Sequence, residues 1–559
     1  MKDIEIQNLI NNSKKLGVDW HGTADNGRFK FPLGTIVITG APEDEREIID
    51  NQAKELGLGE IYYNETEATD SKSVGEFKAN KIKELGIDLY LDDDPSQIYW
   101  IKKFNPEANV LYINKKNYVI FTYSFDGLSY AIRLKEEGNS VILAVLSPED
   151  IGESLDNPQK RIWEEKRWEL GDGIIDKYPA KKVFNFLMNN EDIDDYFIDF
   201  DFNVGGKYAE KLEKKGYIGL FPREKHKEFE TNRQLGQDFV RENYKDLVVP
   251  EEKEFKTTEE ALKFINETQK FYVIKANEDN VQAQVPISDR FETYIKEVEN
   301  FLKSNKKELE KDGFILQEKI FQPIEITPEA LYIKGKPIYF MADIECKKLG
   351  AGETGSNTGC SMDLNFPIDA GSRLTKVALE PYFKTAKEEE LNNFMDASML
   401  IDTRMDKPYF GEYCPRRGYN SFLTELALLP SASLWFESVA KGENPFRDSK
   451  KFAASIRIFN LSRGRNGPAK DLLIQAEGKD VWLFDAKKKG EKLFTCGVDD
   501  NLGVVTGSGD TPEGAIKAVK HNLKSLIVKD MYYRTDIEDT ENWYAPLYRY
   551  NYLKNNDWL

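Results

Sequence analysis

The sequence predicts a protein of several domains that belong to the α/β and α+β classes. Strand-like and helix-like segments alternate from residue 16 to residue 220, which is the pattern of parallel sheets flanked by helices. Between residues 256 and 437, strands and helices mix without that alternation. The chain has 559 residues, 40% of them hydrophobic, so it is long enough for about three or four domains with cores of their own.

The first α/β unit is predicted to span residues 1–115. Its strands are short and apolar, and its helices carry apolar residues three and four positions apart. The predicted strands are Leu16–Asp19, Thr35–Thr39, Asp88–Leu91 and Val110–Ile113, and the predicted helices are Glu43–Leu56 and Val74–Leu85. Parallel strands joined by helices bring their carboxyl ends to one edge of the sheet, where a crevice forms.

Further domains are predicted at residues 117–230, 231–445 and 450–540, followed by a tail at 541–559. The first of them is a second α/β unit, and the charged stretch Val248–Lys256 is predicted to be a surface connection. The remaining predicted elements are the strands Tyr118–Thr122, Ser140–Leu146, Tyr196–Phe202, Ile218–Leu220, Ala330–Ile333, Ile338–Met341, Ser455–Phe459, Val481–Phe484 and Gly503–Thr506 and the helices Asp126–Glu137, Lys207–Lys215 and Pro512–Ile527.

The composition limits the classes of partner. A formal net charge of −19 argues against an extended basic face for nucleic acid, although it does not exclude a local basic pocket. No apolar run approaches the ~20 residues of a membrane span, and the polar amino terminus has no secretory leader. The four cysteines are scattered without a CxxC pair, which argues against a structural zinc site. We expect a cytoplasmic protein, in the host cytoplasm if the chain comes from a phage.

The first unit carries polar side chains where its predicted strands end. Asp19 ends the first strand, Thr39 ends the second, and Asp92 and Asp93 follow a later one. Carboxylates that converge at one sheet edge are suitable ligands for Mg²⁺, and a threonine with a lysine from Val74–Leu85 would hold a phosphoryl group. Each piece alone also fits a plain polar turn, but the ordered set favours a site.

This ordered set resembles the haloacid dehalogenase (HAD) superfamily of phosphotransferases. The resemblance rests on Asp19-Trp20-His21-Gly22-Thr23, on Thr39, on Lys78 or Lys81, and on Asp92-Asp93. It implies that Asp19 is the nucleophile and that Asp19, Asp92 and Asp93 bind the metal. His21 stands where the family has a second aspartate that serves as general acid and base, a role that histidine also performs near neutral pH.

A second set of motifs lies beyond residue 117. Gly355-Ser356-Asn357-Thr358-Gly359 offers a backbone that can approach a ligand closely, although a plain surface turn is the alternative. Lys347 precedes this loop. Lys275 and Glu318 end two predicted strands, and the segment Glu412–Gly418 and the long segment Gly503–Ile537 complete the set.

In this order the motifs resemble the phosphoribosylamine–glycine ligases of the ATP-grasp class, over about three quarters of the chain. The resemblance implies a Rossmann-like pre-ATP-grasp domain, two ATP-grasp lobes and a small C-terminal domain. It implies ATP and Mg²⁺ as cofactors, an acyl phosphate intermediate, and small-molecule substrates: a carboxylate such as an amino acid, and an amine. The implied ATP contacts are Lys275, Glu318, Lys347, Asn357 and Thr358, the implied metal ligand is Glu412, and the implied catalytic arginine is Arg416.

Two departures keep other functions open. The family's glycine-rich phosphate loop corresponds to Lys275–Val285, which has no glycine and contains Glu278 and Asp279, and Cys414 replaces a metal-binding asparagine. Carboxylates repel phosphates, and cysteine is a poor ligand for Mg²⁺. The alternative is therefore a nucleotide-binding scaffold in which the HAD-like unit alone is active. A dinucleotide site is not expected, because Phe125-Asp126-Gly127-Leu128 has a single glycine.

Overall fold

The first sheet is parallel throughout, as the alternation predicts. The computed structural model describes residues 3–65, 70–155, 158–276, 281, 284–286, 288, 290–447, 449–464 and 467–559. The first unit contains α1 (Asp3–Asn12), β1 (Leu16–Val18), β2 (Ile36–Thr39), α2 (Arg46–Glu55), β3 (Ile61–Tyr63), α3 (Ser71–Leu85), β4 (Leu89–Asp92), α4 (Pro95–Phe104) and β5 (Val110–Tyr112). The strand order is β3-β2-β1-β4-β5, so β1 and β4 are neighbours at the centre.

Local sequence fixes the two helices that flank β4. Asp70 accepts hydrogen bonds from the amides of Lys72 and Ser73 and so caps α3, which ends at Gly86 in the left-handed conformation. Asp94 caps α4, which has Pro95 in its first turn. The last of the three consecutive aspartates Asp92–Asp94 is therefore a helix cap, and the two before it remain available for a site.

The second sheet is also parallel, with the order β10-β9-β6-β7-β8. Its unit contains β6 (Asn117–Thr122), α5 (Leu128–Glu136), β7 (Ser140–Val145), α6 (Pro148–Ile151), α7 (Pro158–Arg167), β8 (Asp176–Pro179), α8 (Ala180–Asn189), β9 (Tyr196–Phe200), α9 (Gly206–Lys215) and β10 (Ile218–Gly219). The helices α10 (Glu224–Thr231) and α11 (Arg233–Asn243) lead to the next unit.

A small antiparallel sheet follows, with the order β11-β13-β12. Its elements are β11 (Glu252–Phe255), α12 (Thr258–Thr268), β12 (Tyr272–Ala276), α13 (Phe291–Ser304), α14 (Lys306–Asp312) and β13 (Phe314–Glu318). The prediction that Val248–Lys256 is only a surface connection is wrong, because part of it pairs with β13 as β11. Phe255, the last residue of β11, is buried in the core that this sheet forms with its helices, here called the small lobe.

A large sheet follows, in the order β18-β17-β14-β15-β16-β19-β26-β23, with β28 paired to β19, and two smaller sheets have the orders β20-β21 and β24-β25-β22-β27. The elements are β14 (Ile324–Ile333), β15 (Lys336–Gly350), β16 (Thr354–Pro367), α15 (Arg373–Ala378), α16 (Phe383–Glu388), β17 (Asn393–Asp402), β18 (Lys407–Cys414), α17 (Tyr419–Leu426), α18 (Ala432–Lys441), β19 (Phe452–Asn460), β20 (Arg463–Gly464), β21 (Gly467–Pro468), β22 (Leu473–Ala476), β23 (Val481–Leu483), β24 (Lys487–Lys489), β25 (Lys492–Phe494), β26 (Asn501–Gly509), α19 (Pro512–Asn522), β27 (Leu526–Ile527), β28 (Met531–Tyr532) and α20 (Pro546–Asn555). Strands from residues 452–509 thus extend the same sheet as strands from residues 324–414.

The glycine-rich Asn-Thr segment lies on a strand, and its interpretation as a loop is wrong. β15 and β16 form a long hairpin that turns at Ala351–Glu353, and Asn357 pairs with Lys348 in the ladder. Gly355 and Gly359 have positive φ angles of 77° and 79°, which lets the strand shift register as irregular pairings do. The predicted strands Ala330–Ile333 and Ile338–Met341 are confirmed, and they pair with each other as parts of β14 and β15.

The helix α18 connects the large lobe to both α/β units. Glu137, which is buried at the end of α5, accepts hydrogen bonds from the amides of Ala432 and Ser433 at 2.9 and 2.8 Å. Glu437 on the same helix accepts a hydrogen bond from the hydroxyl of Tyr112 on β5. This one helix therefore contacts both parallel units. No helix in the described part of the chain combines the length and apolar character that a membrane crossing requires.

Candidate active sites

Three carboxylates meet at the carboxyl edge of the first sheet. Asp19 follows β1, Asp92 ends β4, and Asp93 comes next. The parallel pairing of these two central strands places the carboxylates side by side. A carboxylate oxygen of each lies within 4.8 Å of a carboxylate oxygen of the other two, and among the described residues no other cluster of three histidine, cysteine or acidic side chains is spaced for a metal ion. Three hard oxygen ligands at this spacing fit Mg²⁺.

Lys78 lies against this carboxylate group and is fully buried. Its Nζ is 2.9 Å from Oδ1 of Asp19 and 2.8 Å from Oδ2 of Asp92. Burial opposes the charged ammonium, but the two carboxylates outweigh it and raise the pKa of Lys78. Lys81 lies nearer the surface and pairs with Glu84. Of the two lysines that the sequence offered, the structure places Lys78 in the site.

The loop after β1 supports the same group. The hydroxyl of Thr23 donates to Oδ1 of Asp93 at 3.1 Å. A Cβ on Gly22 would lie 1.9 Å from Oδ2 of Asp93, and the φ of Gly22 is +67°, so glycine is required at this close approach. His21 is half-exposed, and its Nε2 lies 2.8 Å from Glu45. Thr39 is buried at the end of β2, and its hydroxyl accepts from the Ala41 amide.

Two carboxylates of the group, Asp92 and Asp93, ionise less readily than aspartates usually do. Burial raises the pKa of Asp93 to about 6, and the charge of Asp19 adds to the rise. Burial also raises the pKa of Asp92, while Lys78 opposes that rise. A divalent cation would favour the ionised forms that burial disfavours. The donor set therefore suits a metal ion that enters and neutralises the cluster.

A second charged group lies on one face of the large sheet. Nζ of Lys347, on β15, is 2.6 Å from Oε1 of Glu325 on β14 and 4.0 Å from Oε2 of Glu345. Glu325 raises the pKa of Lys347 most, burial opposes the rise, and Glu345 and Glu412 add to it. Lys347 therefore interacts with carboxylates from three strands of the large sheet, β14, β15 and β18.

Lys275 and Arg416 reach this group from two sides. Burial would raise the pKa of Glu325, but Lys347, Arg549 and Lys275 together lower it. Lys275 lies on β12 of the small lobe, so charges from both lobes meet here. Burial raises the pKa of Glu345, against the charges of Lys347 and Arg416. Arg416 is itself held by Glu230, whose Oε1 lies 2.7 Å from Nη2.

Other predicted ATP contacts lie at the margin of this group. The hydroxyl of Thr358 donates to the carbonyl of Lys347 at 3.0 Å, and the exposed Asn357 is its neighbour on β16. Glu318 ends β13 opposite Tyr272, whereas Lys275 pairs with Ile315 further along, so Glu318 lies apart from Lys275. Most of the predicted phosphate loop, including Glu278 and Asp279, lies outside the described residues.

Some residues of this face were missed by sequence reasoning. Glu325 was missed because its strand begins earlier than predicted. Arg457 donates to the carbonyl of Thr358 at 2.8 Å and to Oδ1 of Asn420 at 3.0 Å. The sequence did contain a signal for Arg457, because it is a single basic residue in the apolar strand predicted at Ser455–Phe459. A charge buried in such a strand needs polar partners.

The hairpin tip is held by the C-terminal motif. Arg534, fully buried, donates to Oε1 of Glu353 at 2.8 Å and to Oδ1 of Asp536 at 2.7 Å. Asp536 also accepts the amide of Gly352 at 3.0 Å. Two motifs that lie far apart in the sequence, the Asn-Thr segment and the segment that ends at Ile537, therefore meet in the structure.

Solved structures with this fold include a carboxylate–amine ligase. Phosphoribosylamine–glycine ligase from Thermotoga maritima is 17% identical, with 75% of this chain and 99% of that chain covered and a TM-score of 0.52. Pyruvate carboxylase from Rhizobium etli is 13% identical, with 79% and 40% covered and a TM-score of 0.50. Biotin carboxylase from Campylobacter jejuni is 13% identical, with 79% and 97% covered and a TM-score of 0.49. Over this span the chain has an ATP-grasp fold.

The similarity to these structures establishes the fold but not the reaction, which has to be argued from the residues of the site. No protein-family model matches the sequence, and no curated protein matches it. The predicted resemblance to ATP-grasp ligases is confirmed as a resemblance of fold. The resemblance of the first unit to HAD phosphotransferases stays a prediction, as do the roles of the individual site residues.

Proposed function

We propose that the chain is an ATP-dependent ligase that joins a carboxylate to an amine through an acyl phosphate. One observation carries the proposal: Lys275 of the small lobe and Lys347 of the large sheet act on the same carboxylate, Glu325. Cations from two lobes that converge on one point are what a polyphosphate between those lobes requires. The amine, on this proposal, belongs to a nucleotide-like or sugar-phosphate-like acceptor, and the carboxylate belongs to an amino acid.

On this proposal, the basic residues of the site bind the phosphates and the acidic residues bind the metal ion. Lys275 and Lys347 would hold the phosphates of ATP, and Glu412, with Glu345 nearby, would hold Mg²⁺ through oxygen ligands. Bound ATP supplies the phosphoryl group that activates the carboxylate. Arg416, fixed by Glu230, presents a guanidinium that suits a carboxylate or an oxyanion.

The first test is ATP binding by the full chain with Lys275→Ala. Loss of a charge-assisted contact should raise the Kd for ATP at least about tenfold, which is about 1.5 kcal/mol. Lys270→Ala is the matched control, because Lys270 lies just before the same strand, β12, and pairs with Glu251 at the surface. Equal ATP affinity in both variants would reject the role of Lys275. Absence of ATP binding in the unmodified chain would favour a scaffold.

A second activity is proposed for the first unit, on the basis of the carboxylate group at Asp19. We propose a Mg²⁺-dependent phosphohydrolase in which Asp19 attacks the phosphoryl group and His21 protonates the leaving group. The close spacing of Asp19, Asp92 and Asp93 around Lys78 supports it.

Asp19→Asn tests this activity, because it keeps the size of the side chain and removes the nucleophile. Phosphate release from a panel of sugar and nucleotide phosphates should fall more than about a thousandfold, because covalent catalysis loses its nucleophile. Asp25→Asn, in the exposed turn after the motif, is the control and should leave the rate unchanged. Unchanged turnover in Asp19→Asn would overturn the mechanism.

A further inference from the structure

The last helix of the chain, α20, packs against the strands that carry the charged group around Lys347. It contacts β14, β15 and β16 of the large sheet. Leu547 of α20 lies in the same apolar cluster as Ile344 and Cys346 of β15. Successive side chains of a strand point to opposite faces, so Glu345 and Lys347 point away from α20 and toward the charged group. The helix therefore supports the site from the other face of the sheet.

Arg549 of α20 binds the backbone of β15. Its side chain is buried, and its guanidinium donates to the carbonyl of Glu345 at 2.8 Å and to the carbonyl of Trp543 at 3.3 Å. The ladder between β14 and β15 ends at the pair Thr327 and Asp343, so Glu345 lies just beyond the last pair. Arg549 therefore binds β15 close to the point where its pairing with β14 stops.

Glu325 lies at the same opening of the ladder. It stands two residues before the last paired residue of β14, and Glu345 stands two residues after the partner on β15. In an antiparallel pair, these two positions face each other across the strands. Both carboxylates also share Lys347, at 2.6 and 4.0 Å from its Nζ. Arg549 thus binds the backbone of the residue that faces Glu325.

The charge of Arg549 acts on Glu325. Among the described residues, no carboxylate lies within ion-pair distance of Arg549, whereas Arg534, the other buried arginine beside β15, has such a pair. Burial would raise the pKa of Glu325, but the charge of Lys347 lowers it, and the charge of Arg549 adds more to this effect than that of Lys275 does. A buried cation needs a countercharge, and Glu325 supplies it from across the ladder.

We propose that Arg549 is a positioning residue of the ATP-grasp site, which balances the charge of Glu325 when Lys347 turns from that carboxylate to a phosphate of ATP. In the structure Lys347 is bound to Glu325, so binding of a phosphate has to weaken this contact. A carboxylate that loses its cation beside a phosphate is left in a repulsive, poorly solvated position. Arg549 reduces that cost, because the backbone fixes its guanidinium near Glu325. The inference rests on the proposed ATP-dependent ligase.

The test measures binding of ATP to the full chain, in the presence of Mg²⁺, by isothermal titration calorimetry. Arg549→Gln keeps a donor for the Glu345 carbonyl but removes the charge, and it should raise the Kd for ATP about tenfold. Arg549→Lys keeps the charge and should raise the Kd less than about threefold. Lys554→Gln removes a charge from an exposed position of the same helix, so it is the matched control and should leave the Kd unchanged.

A second pair of variants asks whether Arg549 acts through Glu325. In a chain that carries Glu325→Gln, there is no carboxylate to balance, so adding Arg549→Gln should change the Kd for ATP less than about twofold. Arg549→Met replaces Arg549→Gln in both backgrounds if the glutamine variant does not fold, because methionine fills the space of the arginine stem.

The outcomes separate the role of Arg549 from the proposed function. If the unmodified chain binds ATP and Arg549→Gln binds it as tightly as Lys554→Gln does, the inference is overturned and the ligase stands. An equal rise in Kd with and without Glu325→Gln would also overturn it, because Arg549 would then act by holding the fold. If the unmodified chain binds no ATP, the ligase is rejected, and the free energies of unfolding of the same variants decide the contact with Glu325. Additive losses would reject that contact, and a double variant less destabilised than the sum of the single variants would support it.

Discussion

The two candidate sites of this chain hold their charges in different ways. In the first unit, one buried lysine touches two carboxylates within 2.9 Å, and the group is assembled from adjacent strands of one small sheet. In the ATP-grasp unit, Lys347 is about one-third exposed, and the group draws on two lobes and on strands far apart in the sequence. The first site is thus part of its unit's core, and the second is a cleft that a ligand completes.

This difference predicts how each site responds to the loss of a cation. A fully buried pair leaves an uncompensated charge in a low dielectric when one partner is removed, so stability suffers first. A half-exposed pair can be screened by water, so its loss affects stability less and ligand affinity more. The comparison is tested by removing a lysine from each site and measuring both quantities.

The largest effect is expected for Lys78→Met. The substitution leaves Asp19 and Asp92 buried without their shared cation, which should cost about 3–5 kcal/mol of the free energy of unfolding of the first unit. Hydrogen exchange of peptides from residues 3–113 reports that unit separately. Lys81→Met on the same helix, whose pair with Glu84 is at the surface, should cost less than about 1 kcal/mol. Equal losses in the two variants would show that the buried group does not hold the unit together.

A ligand-affinity effect is expected for Lys347→Met. If Lys347 holds an ATP phosphate as proposed, the variant loses that contact and leaves Glu325 and Glu345 to repel the phosphates, so the Kd for ATP should rise about 10–100-fold. Lys348→Met is the matched control, because it removes a lysine from the adjacent position on β15 and leaves Lys347 with Glu325 and Glu345. If Lys347→Met lowers the thermal stability sharply while the folded fraction binds ATP as tightly as before, the proposed contrast between the two sites is wrong.

The sequence predicted a region well where the contacting residues lie close together along the chain, and poorly where they lie far apart. The strands of the first unit, and the meeting of Asp19 with Asp92, follow from local patterns, because neighbouring parallel strands end at one edge. The strand β3 was not predicted, since it is three residues long and half-buried. The sequence could not decide whether Lys78 or Lys81 lies in the site, because that depends on which face of α3 packs against the sheet.

In the ATP-grasp unit the sequence order of the motifs predicted the fold but not the pairing. The Asn-Thr segment was expected in a loop because its residues favour turns. The ladder with β15 and the anchor at Arg534 override that preference, and both depend on contacts distant in sequence. The convergence of Lys275 with Lys347 likewise depends on how the small lobe packs, which no local pattern records.

The smallest effect is expected where a carboxylate is only partly buried, at Glu389. Burial alone would raise its pKa, but hydrogen bonds from His226 and Lys225 outweigh it and lower the pKa from 4.5 to about 2. A carboxylate whose pKa is lowered in the folded state stabilises the fold at pH values above its ordinary pKa. This contribution disappears as the pH falls towards 2, the pKa in the folded state. Glu389→Gln should therefore lower the free energy of unfolding by about 1 kcal/mol at pH 7, as partly exposed pairs do.

The pH dependence distinguishes this pair from a packing effect. The difference between Glu389→Gln and the unmodified chain should shrink as the pH falls from 4.5 to about 2, because Glu389 becomes neutral in both states. Glu388→Gln is the control, since its pair with Lys384 spans 3.8 Å at the surface and should contribute little at any pH. Urea unfolding monitored across this range gives the measurement. A difference in the free energy of unfolding that stays constant with pH would mean that Glu389 acts by packing. Glu389 would then no longer support the contrast between buried and half-exposed charges.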